Sequence, residues 1–236
     1  MLDFAIVISV FNEEDMLPDC LASIAGTGIA PDRVVVVDGA WQGGRDGAHT
    51  FAGSAGPSTD ATEEIVRTAG ANWLPVEKPW PSQEAKRSAM FKVAGAERVL
   101  VMDADERLVG SPPSEWPDWH SNVMIKDVGE NDMPGVRGEW PLGDYCADFK
   151  PELRFFRVTA DLECAYPGGY ISGGRIIKAY ADAAGTSALE ILEGLKIEHH
   201  ANERSEQRKQ DKRAYYKVEH PERVRWQNAI HKAFAE

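Results

Sequence analysis

The sequence has little cysteine and no excess of positive charge. Its 236 residues include three cysteines, Cys20, Cys146 and Cys164, whose spacing fits no metal-binding motif and whose odd number excludes complete pairing. We therefore expect free thiols in a reducing compartment. The formal net charge of -12 argues against general attraction to nucleic acid or anionic lipid, although it leaves room for a local basic patch.

Targeting and membrane-spanning signals are also missing. The chain begins Met1-Leu2-Asp3-Phe4, without the basic start of a signal peptide, and no stretch approaches the ~18 apolar residues of a membrane span. Hydrophobic residues make up 43% of the chain and charged residues 27%, which is ordinary for a globular protein of one large or two small domains. We expect a soluble cytoplasmic protein, and the sequence leaves homo-oligomerisation open.

The first half contains short apolar runs that alternate with helical patterns. The runs predict strands at residues 4–11, 34–37, 72–76 and 99–102, and the helical spacing predicts helices over 15–24, 58–69 and 84–94. Ser58-Thr59-Asp60 and Ser82 supply candidate N-caps for the second and third helices. Alternating strands and helices predict an α/β fold with a parallel, doubly wound sheet and right-handed crossovers.

The pattern changes after Leu108, where prolines and tryptophans indicate a loop-rich region. We expect strands at 123–125 and 152–158, with 162–165 returning as the hairpin partner of the latter. Residues 189–197 read as a short helix running into a strand, and the chain from Glu203 onward as a charged helix. The organisation is thus residues 1–108, residues 109–200 of the same domain, and a helical tail at 201–236.

Two carboxylates follow the fourth predicted strand. Asp103 and Asp105 end the run Val99-Leu100-Val101-Met102, at the sheet edge where open α/β sheets place their ligands. Asp38 ends the second strand and is expected at the same edge. Clustered acids repel one another unless something positive lies between them, and the usual partner is a divalent cation bound through oxygen. The alternative for Asp103 and Asp105 is an acidic surface turn.

Four motifs in order resemble family-2 glycosyltransferases of the GT-A fold. They are Ile8-Ser9-Val10-Phe11-Asn12-Glu13-Glu14, Val37-Asp38-Gly39, Ser58-Thr59-Asp60-Ala61-Thr62 and Met102-Asp103-Ala104-Asp105-Glu106-Arg107. The fourth motif continues into Glu106-Arg107, and this continuation is similar to that of the branch of lipooligosaccharide core β-glucosyltransferases. Weaker likeness continues through Leu153-Arg154-Phe155-Phe156-Arg157 and the His199 segment with Tyr215-Tyr216. The resemblance implies a three-layer α/β/α fold with a mostly parallel central sheet.

The resemblance also implies an activity, which is metal-dependent, inverting transfer of a hexose from a nucleotide-diphosphate donor, with a UDP-sugar favoured. Residues 1–108 would bind the donor and 109–200 would form the acceptor side. Asp103 would reach the ribose or a metal-bound water, and Asp105 would bind Mn²⁺ or Mg²⁺. The residues that would hold the base, ribose and phosphates are Ser9, Phe11, Glu13, Asp38 and Arg87. The acceptor is a glycan, a lipid-linked group or a protein.

Further basic residues and histidines are candidates on the same grounds. Lys86 precedes Arg87 on a helix where the family often carries a basic residue, and a solvated helix face is its alternative. Ser88 stands where relatives usually have Asn. His199 or His200 would be a late metal ligand, with His199 favoured. The basic residues Arg204, Arg208 and Lys209 could contact phosphate, but a solvated helix accounts for them better.

The general base is the least defined residue. The related branch carries a His-Glu pair where this chain has Tyr166-Pro167-Gly168-Gly169, so Glu163 is the nominal base, with Asp161 and Asp144 behind it. The stretch Trp41–Gly56 also departs from the family and could shape the acceptor side or contact another subunit. Glu163 could equally face solvent on a hairpin.

Two other functions are compatible with the sequence. A strand followed by Asp-x-Asp also begins haloacid-dehalogenase phosphatases, in which the first acid, here Asp103, is a nucleophile. That class wants Thr or Val where this chain has Arg107. The missing base motif favours a second alternative, a module that binds nucleotide sugar without turnover.

Overall fold

The computed structural model describes residues 2–43, 49–50, 56–128, 150–166, 169–172, 175–178, 191–200, 203–206 and 210. Within these residues the helices are α1 (Leu17–Gly26), α2 (Thr62–Thr68) and α3 (Gln83–Val93). The first strands are β1 (Ala5–Ser9), β2 (Val34–Val37), β3 (Gln42–Gly43), β4 (His49–Thr50), β5 (Asn72–Leu74), β6 (Arg98–Asp103) and β7 (Glu106–Gly110). The later strands are β8 (Ser121–Asp127), β9 (Lys150–Arg157), β10 (Glu163–Tyr166), β11 (Gly169–Ser172), β12 (Arg175–Lys178) and β13 (Ile191–His199).

Eight strands form one central sheet in the order β5-β2-β1-β6-β9-β8-β13-β7. The first four are parallel neighbours, as the apolar runs predict, and β8 is also parallel to β13. The strands β9 and β7 run antiparallel to their neighbours. Strands β10, β11 and β12 form a separate antiparallel sheet, and the short strands β3 and β4 pair with each other.

The central sheet is covered by helices on both faces. Alternate residues of β1 divide between two cores: Ile6 and Ile8 pack on the side of α1 and α2, whereas Ala5 and Val7 pack on the side of α3. All four side chains are fully buried, as expected for a strand enclosed in a parallel sheet. The three-layer α/β/α architecture with a mostly parallel sheet is therefore confirmed, and it is consistent with a GT-A-like fold.

The helix starts agree with the sequence in one case and differ in another. Ser82 caps α3, accepting a hydrogen bond from the backbone N–H of Ala85 at 3.1 Å. The N-cap position of α2 is Ala61, which has no capping side chain, but Asp60 accepts a hydrogen bond from the backbone N–H of Thr62, the first residue of α2, at 3.0 Å. Ser58 receives the backbone N–H of Asn12 at 2.8 Å.

Three strand predictions in the second half are corrected. Strand β7 follows β6 after a turn of two residues, where no strand was expected. The segment at 163–166 pairs with 169–172 in the small sheet, not with the strand at 150–157. The segment 191–199 is a strand throughout its length, so the helix expected there is wrong for these residues.

Several predictions fall on residues outside the described part of the chain, including Cys146, Asp144, Arg208, Lys209, Tyr215 and Tyr216, and most of the tail and of the Trp41–Gly56 stretch. Cys20 and Cys164 are buried thiols. Among the helices that the structure describes, none has the length and apolar character needed to cross a membrane.

Candidate functional site

The two acids of the fourth motif lie at the carboxyl edge of the parallel half of the sheet. Ser9, the last residue of β1, is the register partner of Asp103, the last residue of β6. Strand β2 lies on the other side of β1, so Asp38 follows a strand that ends at the same edge. The sequence argument for convergence at this edge is therefore confirmed. Asp105 occupies the turn between β6 and β7.

Asp103 lies between two arginines. Its carboxylate accepts hydrogen bonds from Arg87 Nη2, at 3.2 and 3.5 Å, and lies 3.8 Å from Arg154 Nη1. Burial by itself would raise the pKa of Asp103, but the positive charges of Arg87 and Arg154 outweigh burial and lower it. The side chain is still 32% exposed, so this anionic group is accessible at the sheet edge.

Glu106 is the deepest acid of the cluster. It is 1% exposed, accepts the backbone N–H of Asp103 at 2.8 Å and pairs with Arg154 Nη2 at 2.8 Å. Burial raises its pKa to about 7, with Asp103 and Asp105 adding to the rise and Arg154 opposing it. Glu106 therefore holds the end of β6 and the guanidinium of Arg154 in place from inside the protein.

A β-bulge aims Arg154 into this cluster. In the pairing of β8 with β9, Ser121 faces Phe155 and Asn122 faces Leu153, so the register skips Arg154. Because of the skip, Leu153 and Phe155 pack into the cores on opposite faces of the sheet, although an undisturbed strand would place them on one face. The extra residue is the one whose guanidinium bonds Glu106 and Glu152.

Asp105 is bonded to both a histidine and an arginine from the end of the described chain. Its Oδ2 lies 3.2 Å from His199 Nε2 and accepts a hydrogen bond from Arg204 Nε at 3.0 Å. Arg204 Nη1 also donates to Glu13 Oε1 at 3.0 Å. Asp105, Glu13 and Arg204 are 2%, 5% and 8% exposed respectively, so the bridge between the two acids is buried.

Strand β13 carries His199 to the turn at Asp105. β13 pairs with β7 in an antiparallel register that places His199 opposite Glu106, the residue after Asp105. The next residue, His200, donates its backbone N–H to the carbonyl oxygen of Asp105 at 2.7 Å and pairs through Nδ1 with Glu203 at 2.8 Å. Of the two histidines, His199 is thus the one whose ring meets Asp105.

The positive charge required between the acids is supplied by arginines. Arg87 and Arg154 neutralise Asp103 and Glu106, and Arg204 neutralises Asp105 and Glu13. The carboxylates by themselves therefore do not require a metal ion. Across the described ranges, no three His, Cys, Asp or Glu side chains are grouped as potential metal ligands.

The residues expected to hold the base and ribose are mostly internal. Asp38 is fully buried, and its carboxylate accepts the backbone N–H and the hydroxyl of Ser58 at 2.9 and 2.6 Å. Phe11 is 1% exposed and packs with Ala40 and Trp41. Ser9 is half-buried at the end of β1. The ligand contacts assigned to these residues stay predictions.

Asn12 to Glu14 and the Ser58 motif bond to each other. Asn12, whose φ of 51° is left-handed, accepts the backbone N–H of Thr59 at 2.8 Å. The N–H of Glu13 donates to Thr62 Oγ1 at 2.9 Å. Because Asp38 holds Ser58 as well, the first three motifs of the resemblance form one hydrogen-bonded unit beside the sheet edge.

Lys86 lies inside the protein, so the alternative of a solvated helix face is wrong. It is 1% exposed, and Nζ donates to the carbonyl oxygens of Val10 and Gly39, both at 2.7 Å. Burial lowers its pKa to about 7, and the nearby charge of Asp38 partly opposes this. Lys86 therefore ties together the chain segments that leave β1 and β2.

Glu163 lies apart from the cluster. Its side chain is 58% exposed and lies 3.8 Å from Lys92 Nζ on α3. The next residue, Cys164, points inward and donates its backbone N–H to Ser88 Oγ at 2.9 Å. Asp161 is exposed. The structure therefore does not bring Glu163 together with Asp103, and its role as a base stays a prediction.

Sequence reasoning missed three members of the cluster. Arg154 lies in the motif Leu153-Arg154-Phe155-Phe156-Arg157, but nothing in the local sequence pattern predicts a bulge there. Glu106 was read only as a continuation of the Asp-x-Asp motif. Arg204 was assigned to a solvated helix, which is wrong because it is buried between two acids. The available signal was its place four residues after the His199-His200 pair.

Comparison with known proteins gives only distant likenesses. No family model and no curated protein sequence matches the chain. The similar solved structures include S. aureus TarS, at 19% identity and a TM-score of 0.43, over 67% of this chain and 28% of TarS. They also include TarS 1–349 in complex with UDP-GlcNAc, at 19% identity and a TM-score of 0.39, over 56% of this chain and 37% of that one. A mycobacterial protein is similar at 19% identity and a TM-score of 0.33, over 53% of this chain and 40% of that one. The match spans less than half of each of these chains, and likeness this distant carries no argument about activity.

Proposed function

We propose that the chain is a glycosyltransferase that moves a hexose, with inversion, from a nucleotide-diphosphate donor to an acceptor hydroxyl, and that UDP-hexose is the favoured donor. The observation that carries this proposal is the meeting of Asp103, Asp105, His199 and Arg87 at the carboxyl edge of β1 and β6. Open α/β sheets bind ligands at that edge. The four motifs that resemble family-2 glycosyltransferases supply the reaction class.

A divalent cation fits the pair formed by Asp105 and His199. A carboxylate oxygen and an imidazole nitrogen 3.2 Å apart are a donor set suited to Mn²⁺, and Mg²⁺ sites commonly combine one or two carboxylates with substrate phosphates. When bound with the donor, such an ion would act as a Lewis acid for the departing nucleoside diphosphate. We therefore assign the proposed metal site to Asp105 and His199.

The other residues of the cluster would bind and orient the donor. Arg87 is 16% exposed beside Asp103, so part of its guanidinium can reach an anionic ligand at the edge. Asp103 is a fixed acceptor for a hydroxyl group, since two arginines keep it ionised. Arg154 and Glu106 lie behind it and hold its position, which limits motion of the site during transfer.

The general base is a separate proposal. Glu163 would have to approach the acceptor from the small sheet, where its side chain is 58% exposed. The pairing of the exposed Glu163 with Lys92 on α3 favours a second candidate function, a module that binds nucleotide sugar without turnover. The dehalogenase-type alternative would use Asp103 as a nucleophile, and that class wants Thr or Val where this chain has Arg107.

The first test replaces Asp105 with asparagine. Asp105→Asn keeps the size of the side chain but removes its charge, so Mn²⁺-dependent binding of UDP should fall by at least about tenfold, measured by isothermal titration calorimetry. Because Asp105 is buried and ion-paired, we also expect a lower free energy of unfolding, which urea denaturation measures. Unchanged Mn²⁺-stimulated UDP binding in the variant would exclude Asp105 as the metal ligand.

Glu163→Gln is the counterpart of Asp105→Asn, because it also replaces an acid with its amide but at an exposed position. If Glu163 is the base, this variant should bind UDP and Mn²⁺ normally while transfer and slow hydrolysis of the donor are lost. A panel of nucleotide sugars with Mn²⁺ separates the candidate functions. Hydrolysis of one donor supports a transferase, binding without hydrolysis supports a module, and phosphate release from simple monoesters supports a phosphatase.

A further inference from the structure

Arg204 occupies the position next to Asp105 where a bound cation would need to be. Its Nε bonds Asp105 Oδ2 at 3.0 Å, the same oxygen that lies 3.2 Å from His199 Nε2. Asp105 is only 2% exposed, so there is little room for another cation to approach from a different side. A divalent ion held by Asp105 and His199 would place like charges side by side with this guanidinium.

A second acid holds the guanidinium from the opposite side. Arg204 Nη1 donates to Glu13 Oε1 at 3.0 Å, and Glu13 is itself 5% exposed. If Arg204 gives up its bond to Asp105, it can keep the bond to Glu13, so leaving Asp105 does not strand a buried cation without a partner. The Arg204 guanidinium thus forms two hydrogen bonds to different acids, and either bond can break while the other remains.

The backbone around Arg204 is fixed independently of that side chain. Ser205 donates its backbone N–H to Asp15 Oδ2 at 3.1 Å. Glu203 pairs with His200 Nδ1 at 2.8 Å and lies 3.7 Å from Arg107 Nη2. The guanidinium can therefore turn on a main chain that stays anchored across the sheet edge.

We propose that Arg204 is an exchangeable internal counter-ion, which neutralises Asp105 in the empty protein and leaves it when the divalent cation and donor bind. This inference rests on the proposed function, and it concerns the order in which charges are exchanged at that site. Arg204 keeps Glu13 and turns its remaining N–H groups toward the donor diphosphate. The empty protein consequently binds Mn²⁺ weakly, and nucleotide diphosphate strengthens Mn²⁺ binding.

The test measures Mn²⁺ binding directly, without catalysis. Electron paramagnetic resonance reports free aqueous Mn²⁺ in titrations of the wild type and of Arg204→Met, which keeps an aliphatic stem but lacks the charge. In the absence of nucleotide, the variant should bind Mn²⁺ at least about tenfold more tightly than the wild type. The factor by which UDP strengthens Mn²⁺ binding should be smaller in the variant.

Two further variants separate charge exchange from other causes. Glu13→Gln combined with Arg204→Met should retain the gain in Mn²⁺ affinity, because the gain comes from Asp105 and not from a newly exposed Glu13. Arg204→Lys keeps the charge but loses the bidentate fork, so its Mn²⁺ affinity should fall between those of the wild type and Arg204→Met. It also provides a folded comparison should the methionine variant be unstable.

The results distinguish failure of this inference from failure of the proposed function. If the wild type binds Mn²⁺ with UDP, but Arg204→Met and the double variant bind Mn²⁺ alone no more tightly than the wild type, the exchange is wrong and the proposed metal site stands. If no variant and no nucleotide condition gives Mn²⁺ binding, the exchange and the metal site are both wrong.

Discussion

His120 is a buried residue whose ring has no hydrogen-bond partner in the part of the chain that the structure describes. It is 2% exposed, and its ring centroid lies 4.6 Å from that of Trp119 and 5.7 Å from that of Phe156. Burial lowers the pKa of this histidine to about 4. The imidazole is therefore neutral in the folded protein at neutral pH.

Replacing His120 should change how stability depends on pH. In the wild type, the unfolded chain takes up a proton near the ordinary histidine pKa of about 6.5 while the folded chain does not, so stability falls as pH decreases from about 7 toward 4. The loss attributable to His120 between pH 7 and pH 5 should be about 2 kcal/mol. His120→Phe should remove that loss, and urea unfolding of both proteins at the two pH values measures it. Equal pH dependence in both would show that His120 does not remain neutral.

Individual acids were easier to predict from the sequence than their partners. Asp103 and Asp105 follow a long apolar run, and this pattern is local enough to place them at the end of a strand. The arginines that neutralise them come from positions 87, 154 and 204, so the pairing depends on the complete fold. The sequence argument required a positive charge near the acids and assigned it to a metal, because long-range partners leave no periodic signal.

The bulge in β9 is the element that most affects the site. The bulge orients the Arg154 side chain toward the cluster of acids. It also shifts the register of the strand, so that Leu153 and Phe155 pack on opposite faces of the sheet. Neither Glu106 nor Glu152 is more than 6% exposed, and both form ion pairs with this arginine. Loss of this positive charge would remove the ion pair of the buried Glu106 carboxylate with Arg154.

Arg154→Met should therefore be strongly destabilising. We expect the free energy of unfolding at pH 8 to fall by about 3–5 kcal/mol, because breaking a buried ion pair leaves its partner's charge uncompensated. The deficit should shrink at pH 6, since Glu106 has a raised pKa of about 7 and can take up a proton. Urea denaturation at both pH values measures the change.

Arg157→Met on the same strand is the control for Arg154. The Arg157 side chain is 39% exposed, and its partner Asp118 is 87% exposed, so the free energy of unfolding should change by less than about 1 kcal/mol. Equal effects of the two substitutions would contradict the role assigned to the bulge.

The parallel strands were predictable because their signals are local. Strands β1, β2 and β6 are short apolar runs that end at polar residues, as expected when both faces of a strand are buried. The sequence pattern does not predict strand β7, because the strand begins with Glu106 and Arg107. Charged residues such as these are typical of loops, and nothing local shows that they are buried. Their burial depends on partners at positions 154, 19 and 203, which no local pattern shows.

At the scale of the whole molecule, the site depends on a close approach of β7 and β13. Gly110 ends β7 with a φ of 102°, and a Cβ added there would overlap the carbonyl oxygen of Gly194 in β13. The same pairing places His199 opposite Glu106. The position of His199 relative to Asp105 thus depends on a contact some distance along both strands.

Gly110→Ala should weaken both the fold and the site. The free energy of unfolding should fall by about 3 kcal/mol or more, because the new methyl group meets backbone and not a flexible side chain. A displaced β13 should also reduce Mn²⁺ binding, measured by the same titration as for Arg204.

Gly95→Ala is the control, since Gly95 has a φ of 60° and no atom within 4 Å of an added Cβ. It should cost about 1–2 kcal/mol and leave Mn²⁺ binding unchanged. Similar losses of Mn²⁺ binding in the two variants would exclude the contact as the cause.

The residues on either side of the segment 41–55 are hydrogen-bonded to each other. The backbone N–H of Ala40 donates to the carbonyl oxygen of Gly56 at 3.1 Å, and Asp38 receives Ser58 immediately beyond. Because lengthening a loop whose ends are already bonded adds little entropic cost, we expect the fold to tolerate insertions between Trp41 and Gly56. An ancestral protein could acquire a new surface beside the carboxylates in this way, changing what it recognises while the chemistry next to it is inherited unaltered.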